Sequence, residues 1–340
     1  MRKLLNILYV TTPEAYLSKD GQNVVVSVKQ EEVFRIPAIN IEGIVTFGYM
    51  GASPGVMKLC CDNGISLTSL SPHGRFISRV QGATKGNVLL RKKQYFLSDD
   101  DSWSLHVAQI MIGGKIQNYR NILKRYMRDY GENEDISRVV RVLEQAKRDA
   151  LNAPDKSSLM GYEGLASNAY FEVLSVLILN QKTDFPFHGR NRRPPKDAVN
   201  AMLSFAYTLI ANDVAAALET VGLDPYVGFL HTLRPGRTSL ALDLMEELRA
   251  YLGDRFVLSL INKRQITVKD FLSQGDNGIV MTEKGKKTFI TAWQARKREV
   301  IIHPYLNEKV EIGLLPYVQA MLMARYIRQD IDDYPVFLIK

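Results

Sequence analysis

Glu163, His231, Asp243 and Glu246 are the residues whose types and spacing could do chemistry in this chain. Glu163 stands near the start of a segment that then turns almost continuously apolar, from Leu165 to Leu177. A helix apolar on nearly all sides is buried, and a carboxylate near its start then needs a positive partner or a metal. A glutamate favoured by the helix dipole is the equally open reading. His231 precedes the turn Pro235-Gly236, after which Thr238 or Ser239 can cap a helix. On that helix Ala241, Leu244, Met245, Leu248 and Leu252 make an apolar stripe, and Asp243 and Glu246, three apart, share the opposite face. Glu247 points about 100° away around the helix and ranks second. A histidine with carboxylates from separate elements can hold a divalent cation. Oxygen ligands suit Mg2+, and an imidazole among them moves the preference towards Mn2+. The same pattern also describes a hydrogen-bonded histidine at a rim and a solvated Asp-x-x-Glu face.

Arginines stand close to these positions in sequence. Arg234 and Arg237 lie between His231 and the acidic helix, while Arg190, Arg192 and Arg193 crowd an aperiodic loop over 182–195 that ends in Pro194-Pro195. Loops held on a scaffold often carry function, and the 190–193 cluster is expected to contact DNA rather than merely to keep the surface soluble. Lys115–Arg128 interleaves bases with Tyr119 and Tyr126. That mixture suits backbone tracking with stacking and an ordinary amphipathic helix equally. Lys284, Lys286 and Lys287 around Gly285 are expected to be solvated surface in a late hairpin. The net charge of +8 and pI near 9.3 favour polyanionic partners.

The elements that must position these side chains fall into two groups. Residues 1–91 are expected to form a small β-rich N-terminal domain: Val24-Val25-Val26, Val33 to Ile36, Ile44 to Phe47, Ile65 to Thr68 and a strand from Phe76 to Gln81, with turns at Asp20-Gly21, Asn63-Gly64 and His73-Gly74. Its one helix runs from Ser53 to Asp62, with Pro54 in the first turn and Gly64 just past the end. The opening Met1-Arg2-Lys3 and the apolar run after it read as a first strand rather than a signal peptide. From 92 to 340 the period becomes helical, over roughly 104–129, 135–151, 157–181, 196–219, 239–252 and 314–329. The acidic turn Ser98 to Asp101 can start the first of these, and Gly275 to Gly278 marks one short hairpin. The fold class is therefore α+β, with a larger all-α domain after the β-rich one. No run of eighteen apolar residues suggests a membrane span. Adjacent Cys60 and Cys61 suit a reduced, cytoplasmic protein.

Seven strings carry a resemblance along nearly the whole chain: Glu42 to Gly48, Gly86 to Arg91, Gly161 to Gly164, Arg192 to Pro195, Asn200 to Phe205, His231 to Glu246, and Gly313 to Ala320. In this order they resemble the CRISPR-associated integrase/endonuclease family of spacer acquisition, the first-numbered CRISPR-associated protein, and look most like its subtype I-C branch. The resemblance implies a dimerising N-terminal domain and a helical catalytic domain. It places Glu163, His231 and Glu246 as ligands of Mg2+ or Mn2+, with Asp243 as the acidic residue supporting them. Some relatives carry aspartate at the position of Glu246, and the extra methylene keeps the charge. The implied activity is metal-dependent endonuclease and integrase chemistry in antiviral defence, in which a prespacer 3′-hydroxyl attacks a phosphodiester of the CRISPR repeat. The implied partners are double-stranded DNA, a second copy as a homodimer, and a dimer of the second-numbered CRISPR-associated protein bridging two such homodimers, with no membrane. Two other readings predict different behaviour: a non-catalytic DNA-binding scaffold, and a metal phosphodiesterase acting on other nucleic acids.

Overall fold

Short β-branched runs separated by glycine turns pair readily, and the first eighty residues of this computed structural model do so. Residues 7–12, 14–48, 51–72, 76–80, 82, 88–192, 194–275 and 278–339 are described. Met1 to Asn6, Gln81, Arg193, the His73-Gly74 turn and the middle of the Gly275–Gly278 turn therefore lie outside. The strands are β1 (Ile7–Val10), β2 (Ala15–Asp20), β3 (Asn23–Val28), β4 (Glu31–Pro37), β5 (Gly43–Phe47), β6 (Gly51–Ala52), β7 (Ser66–Leu70) and β8 (Phe76–Val80), with helix α1 (Pro54–Asn63) between β6 and β7. One sheet runs β4-β3-β2-β6 and the other β1-β5-β7-β8. β2 and β3 form an antiparallel hairpin at Gly21, whose φ of +56° costs glycine little. Leu17, Val24, Val26, Ile44, Leu67, Val56 and Leu59 fill the core. α1 starts where Ser53 Oγ accepts from Val56 N at 3.2 Å and ends at Gly64, φ +68°.

The rest of the chain is mainly helical: α2 (Val88–Asp99), α3 (Asp101–Tyr130), α4 (Glu134–Leu151), α5 (Lys156–Val173), α6 (Ala198–Val221), α7 (Ser239–Leu248) and α8 (Arg255–Asn262). Side-chain caps set most starts. Asp100, from the acidic turn, accepts from Ser102 N and Trp103 N, and Asn133, Asp155 and Asp197 do the same for α4, α5 and α6. α5 gives way to a 3-10 turn over Leu174–Leu177, earlier than the apolar pattern to 181 suggests. α7 passes into a π-helical segment, Arg249–Asp254, before α8. The region is not all-α. Two-stranded ribbons form from β9 (Phe271–Ser273) with β10 (Ile279–Met281), and, after helix α9 (Glu283–Lys297), from β11 (Val300–Ile302) with β12 (Lys309–Glu311); α10 (Leu315–Arg328) follows.

α9 corrects the reading of Lys284 to Lys287 as a hairpin turn, while Lys284 and Lys287 are exposed as that reading expected. Thr282 Oγ1 accepts from Gly285 N at 3.0 Å and starts a helix there, while Lys286 is buried and pairs with Glu283 at 2.7 Å. A threonine cap outweighs the lysine-glycine composition that suggests a loop. Two compact units result: Met1–Lys85 with Met281–Glu299 and Ile312–Leu314, and Gly86–Val280 with Val300–Glu311 and Leu315–Lys340. Gln294 of α9 donates to Ile7 O at 3.0 Å within the first unit. α6 is long and apolar enough by composition to cross a membrane, yet 61% of that window is buried, and it packs on α7 and α10 within the second unit.

Candidate active site

Every residue singled out for metal chemistry lies in the second unit, on elements that pack on one another. α3 contacts α5 and α7 directly. The apolar stripe expected on α7 does not divide it into two faces. Neighbouring helices cover the whole helix, and Asp243, Glu246 and Glu247 are all buried. Buried carboxylates require partners, and each of the three has a different set.

Asp243 organises the segment before its own helix. Its Oδ2 accepts from Phe229 N at 2.7 Å and Leu230 N at 3.0 Å, and its Oδ1 accepts from His231 N at 3.0 Å. The same Oδ1 lies 2.5 Å from His231 Nδ1. Gly228 permits this approach, because a Cβ there would stand 2.5 Å from Asp243 Oδ2. Thr238 occupies the position before α7 but makes no side-chain cap; the Pro225 carbonyl accepts from Leu240 N at 3.0 Å instead. Asp243 thereby fixes the ring of His231 through Nδ1 and leaves Nε2 as the nitrogen able to bind something else, the usual arrangement behind a ligating imidazole. If His231 ligates a divalent ion, Asp243→Asn should weaken Mn2+ binding by roughly 10- to 100-fold, as outer-shell partners of a ligand do. Calorimetric Mn2+ titration checks this, and unchanged affinity would remove the orienting role.

Glu163 and Glu246 meet at a cation that the spacing pattern gave no reason to select. The ammonium of Lys115, on α3, hydrogen-bonds Glu163 Oε1 and lies 2.7 Å from Glu246 Oε2. Arg249, in the π-helical turn after α7, reaches Glu246 Oε1 at 2.9 Å, and Ser167 Oγ donates to Glu163 at 2.8 Å. Burial would push both carboxyls up. At Glu246, Arg249 and then Lys115 outweigh it and hold the group near 2; at Glu163, Lys115 keeps it below the ordinary value. Glu246 Oε2 is buried and lies outside hydrogen-bonding geometry despite its distance from Lys115. Among the described residues, no three His, Cys, Asp or Glu side chains already stand grouped around a metal position. The donor set still fits one: two ionised carboxylates, one with an oxygen that is ion-paired but makes no hydrogen bond, share a single cation, and a pre-oriented imidazole lowers the carboxyl of Glu246 from nearby.

Glu247 is anchored elsewhere. It accepts from Gln319 Nε2 at 3.1 Å to both oxygens, from Tyr334 OH and from Phe337 N, which docks the end of the chain. Asn118 on α3 adds bonds to Phe337 O at 2.8 Å and from Ile339 N at 2.9 Å. Glu247 is thus a structural carboxylate, and the second rank the helical angle gave it as a ligand finds no support in its contacts.

The arginines divide. Arg190 is half-buried, donates to Asn200 Oδ1 at 2.7 Å and Ser204 Oγ at 3.0 Å, and lies over the Tyr207 ring, whose other close cation is Arg249. These hydrogen-bond partners are neutral, and the nearest opposing charge acting on it is the buried carboxylate of Asp254, which Tyr207 holds. Arg192 and Arg234 are exposed and Arg237 is half-buried, with no ion pair to a described residue. Arg193 lies outside the described residues. The loop is pinned where Pro195 O accepts from Ile279 N at 2.8 Å. On α3, Tyr119 is buried and stacks on Tyr170 at 3.9 Å, while Arg120 pairs with Glu144 and Arg125 with Asp129. These contacts favour the amphipathic-helix reading over nucleic-acid tracking. Lys115 and Arg249 escaped the spacing analysis. The one local signal was Gly113-Gly114, which brings α3 so close to its neighbours that a Cβ at Gly114 would lie 2.3 Å from Val336.

Comparison with known proteins agrees with this architecture. The family model described as CRISPR associated protein Cas1 matches residues 8–295. The CRISPR-associated endonuclease Cas1 1 of Chlorobaculum tepidum is 47% identical over 99% of both chains. Among solved structures, a casposase bound to integration product superposes with a TM-score of 0.83 at 20% identity, covering 97% of this chain and 93% of that one. A Cas6-RT-Cas1–Cas2 complex gives 0.84 at 20%, covering all of this chain and 37% of the other. A family match over most of the chain, and a relative nearly half identical from end to end, lead to one conclusion: this chain belongs to the Cas1 family of CRISPR-associated proteins.

Proposed function

We propose that this Cas1-family chain is a divalent-metal-dependent DNA endonuclease and integrase that joins prespacer DNA into a CRISPR array. The observation that carries the reading is the meeting of Glu163 and Glu246 on one cation, close to a histidine oriented by Asp243. A bound Mg2+ or Mn2+ would be held by Glu163, Glu246 and His231 Nε2, and would supply Lewis-acid polarisation of a phosphoryl oxygen. The protein's own part is positional. Asp243 holds the imidazole in one tautomer, Arg249 keeps Glu246 ionised, and Arg190, Arg192, Arg193, Arg234 and Arg237 are the candidates to hold phosphates. In the joining step a 3′-hydroxyl oxygen forms a bond to phosphorus while the bond to the displaced 3′-oxygen breaks. The proton lost by the attacking hydroxyl is balanced by one gained by the departing oxygen. No protein nucleophile is required.

The subtype I-C assignment rests on the whole-chain strings, and a cytoplasmic location on two cysteines that remain free thiols. Double-stranded DNA, a homodimer and a bridging Cas2 dimer are the proposed partners, in line with the relatives described with integration product and in a Cas1–Cas2 complex.

The test is transfer of an end-labelled duplex with free 3′ ends into supercoiled plasmid carrying the repeat, with Cas2 present. Joined product should form with Mn2+ or Mg2+ and vanish with chelator. DNA binding without joining under either metal would favour the scaffold reading. Metal-dependent cleavage that duplex DNA competes for only weakly would favour a phosphodiesterase of other nucleic acids.

A further inference from the structure

The most unusual group in the second unit is Lys115. It is a lysine in the interior of a long helix, 2% exposed, with apolar neighbours Ile112 and Ile116. Lysine is almost never buried without paired charges, and both of its partners are the carboxylates read above as metal ligands. Its Nζ bridges Glu163 Oε1 and Glu246 Oε2. A divalent ion of the Mg2+ class takes oxygen ligands at about 2.0–2.1 Å. An ion touching both of these oxygens would need the space the ammonium fills.

Charge gives the same result by a separate route. Lys115 and Arg249 balance Glu163 and Glu246 one for one. Adding a doubly charged ion to two carboxylates already matched by two cations adds positive charge that they cannot offset, which is costly out of water. Withdrawal of the lysine relieves part of that excess. Arg249 holds the other oxygen of Glu246, so the bridging oxygen is the one an ion can take without disturbing it.

We propose that Lys115 is a built-in competitor for the divalent cation: its ammonium aligns Glu163 and Glu246 in the metal-free protein and must leave the bridging position for the ion to bind. This rests on the reading of those two carboxylates as ligands and adds a residue that sets how tightly they bind. Two consequences follow. The metal-free site stays folded despite two buried carboxylates, and metal affinity is lower than the donor set alone would give.

The experiment is Mn2+ binding to the full chain without DNA, followed by the electron paramagnetic resonance of free Mn2+ at one fixed pH. Lys115→Met removes the competitor. Lys115→Gln keeps an amide able to donate to both carboxylates and preserves the fold if the methionine variant does not, as circular dichroism would show. Both should bind Mn2+ about tenfold or more tightly than wild type, the scale on which one neighbouring like charge acts in a buried site. A lysine that serves only to hold the fold, outside the reach of the ion, would give unchanged or weaker affinity when replaced. Wild-type or weaker affinity in the lysine variants, with Mn2+ lost in Glu163→Gln, would overturn the competitor role and leave the ligand assignment standing. Unchanged affinity in Glu163→Gln would overturn the ligand assignment and the competitor role together.

Discussion

His231→Ala should reduce metal-dependent joining by at least about 100-fold, the scale of removing one pre-organised group from a charge-stabilising site. The argument runs through Asp243. A carboxylate that accepts three backbone N–H groups and faces the imidazole is committed to holding this one ring. Alanine deletes the nitrogen donor and leaves Asp243 its backbone bonds, so the segment before α7 keeps its shape. The loss should therefore appear in joining and in Mn2+ affinity without a matching fall in thermal midpoint. Strand-transfer assays read the first two against a melting curve for the third. Joining that survives the substitution would make His231 a structural residue and move the metal elsewhere.

Glu247→Ala should do the opposite, destabilising the second unit by about 3–5 kcal/mol, since Phe337 N and Tyr334 OH lose their acceptor in the core and Gln319 Nε2 keeps only Tyr334 OH and Pro335 O. Phe337 N, Tyr334 OH and Gln319 Nε2 all converge on this carboxylate. Without it the segment Tyr334–Ile339 keeps its bonds to Asn118, Asn121 and Gln319. Urea unfolding followed by helical circular dichroism measures the change, and a loss below about 1 kcal/mol would sink the argument, being the scale of one ordinary hydrogen bond.

The same neighbourhood sets a pH dependence. Burial pushes Glu247 up to about 7 from 4.5 and Asp254 up to about 6 from 3.8. Each folded value lies above its unfolded one, so the folded state binds more protons between them and stability falls as pH rises through that window. Glu246, lowered to about 2, acts in the other direction only below about 4.5. Burial holds His303 below its ordinary 6.5, which acts in the opposite direction. Two raised carboxyls outnumber it, so the melting temperature should decline from pH 5 to pH 7, and Asp254→Asn should flatten part of the slope. A melting temperature that rises over that range would contradict both assignments.

Much of this protein was legible before any tertiary contact was known. Ser53, Pro54 and Gly64 bound α1, Asp100 starts α3, and a run of consecutive valines builds β3, because caps, turns and β-branched runs act over a few neighbouring residues. The strings around Glu163 and His231 to Glu246 were enough to suggest the family. What only the tertiary structure decided lies in contacts between distant residues. The expected polar face of α7 does not exist, because covering helices bury it all round and give Asp243, Glu246 and Glu247 three different environments. Lys115 joins Glu163 across 48 residues and Glu246 across many more, and only the preceding Gly113-Gly114 hints locally that this helical lysine is buried. The composition of Lys284 to Lys287 suggests a turn, yet the Thr282 cap and packing in the first unit make it helix. A sequence pattern reports which residue types can bind a cation; which charge already occupies that place depends on helices that meet only when the chain has folded.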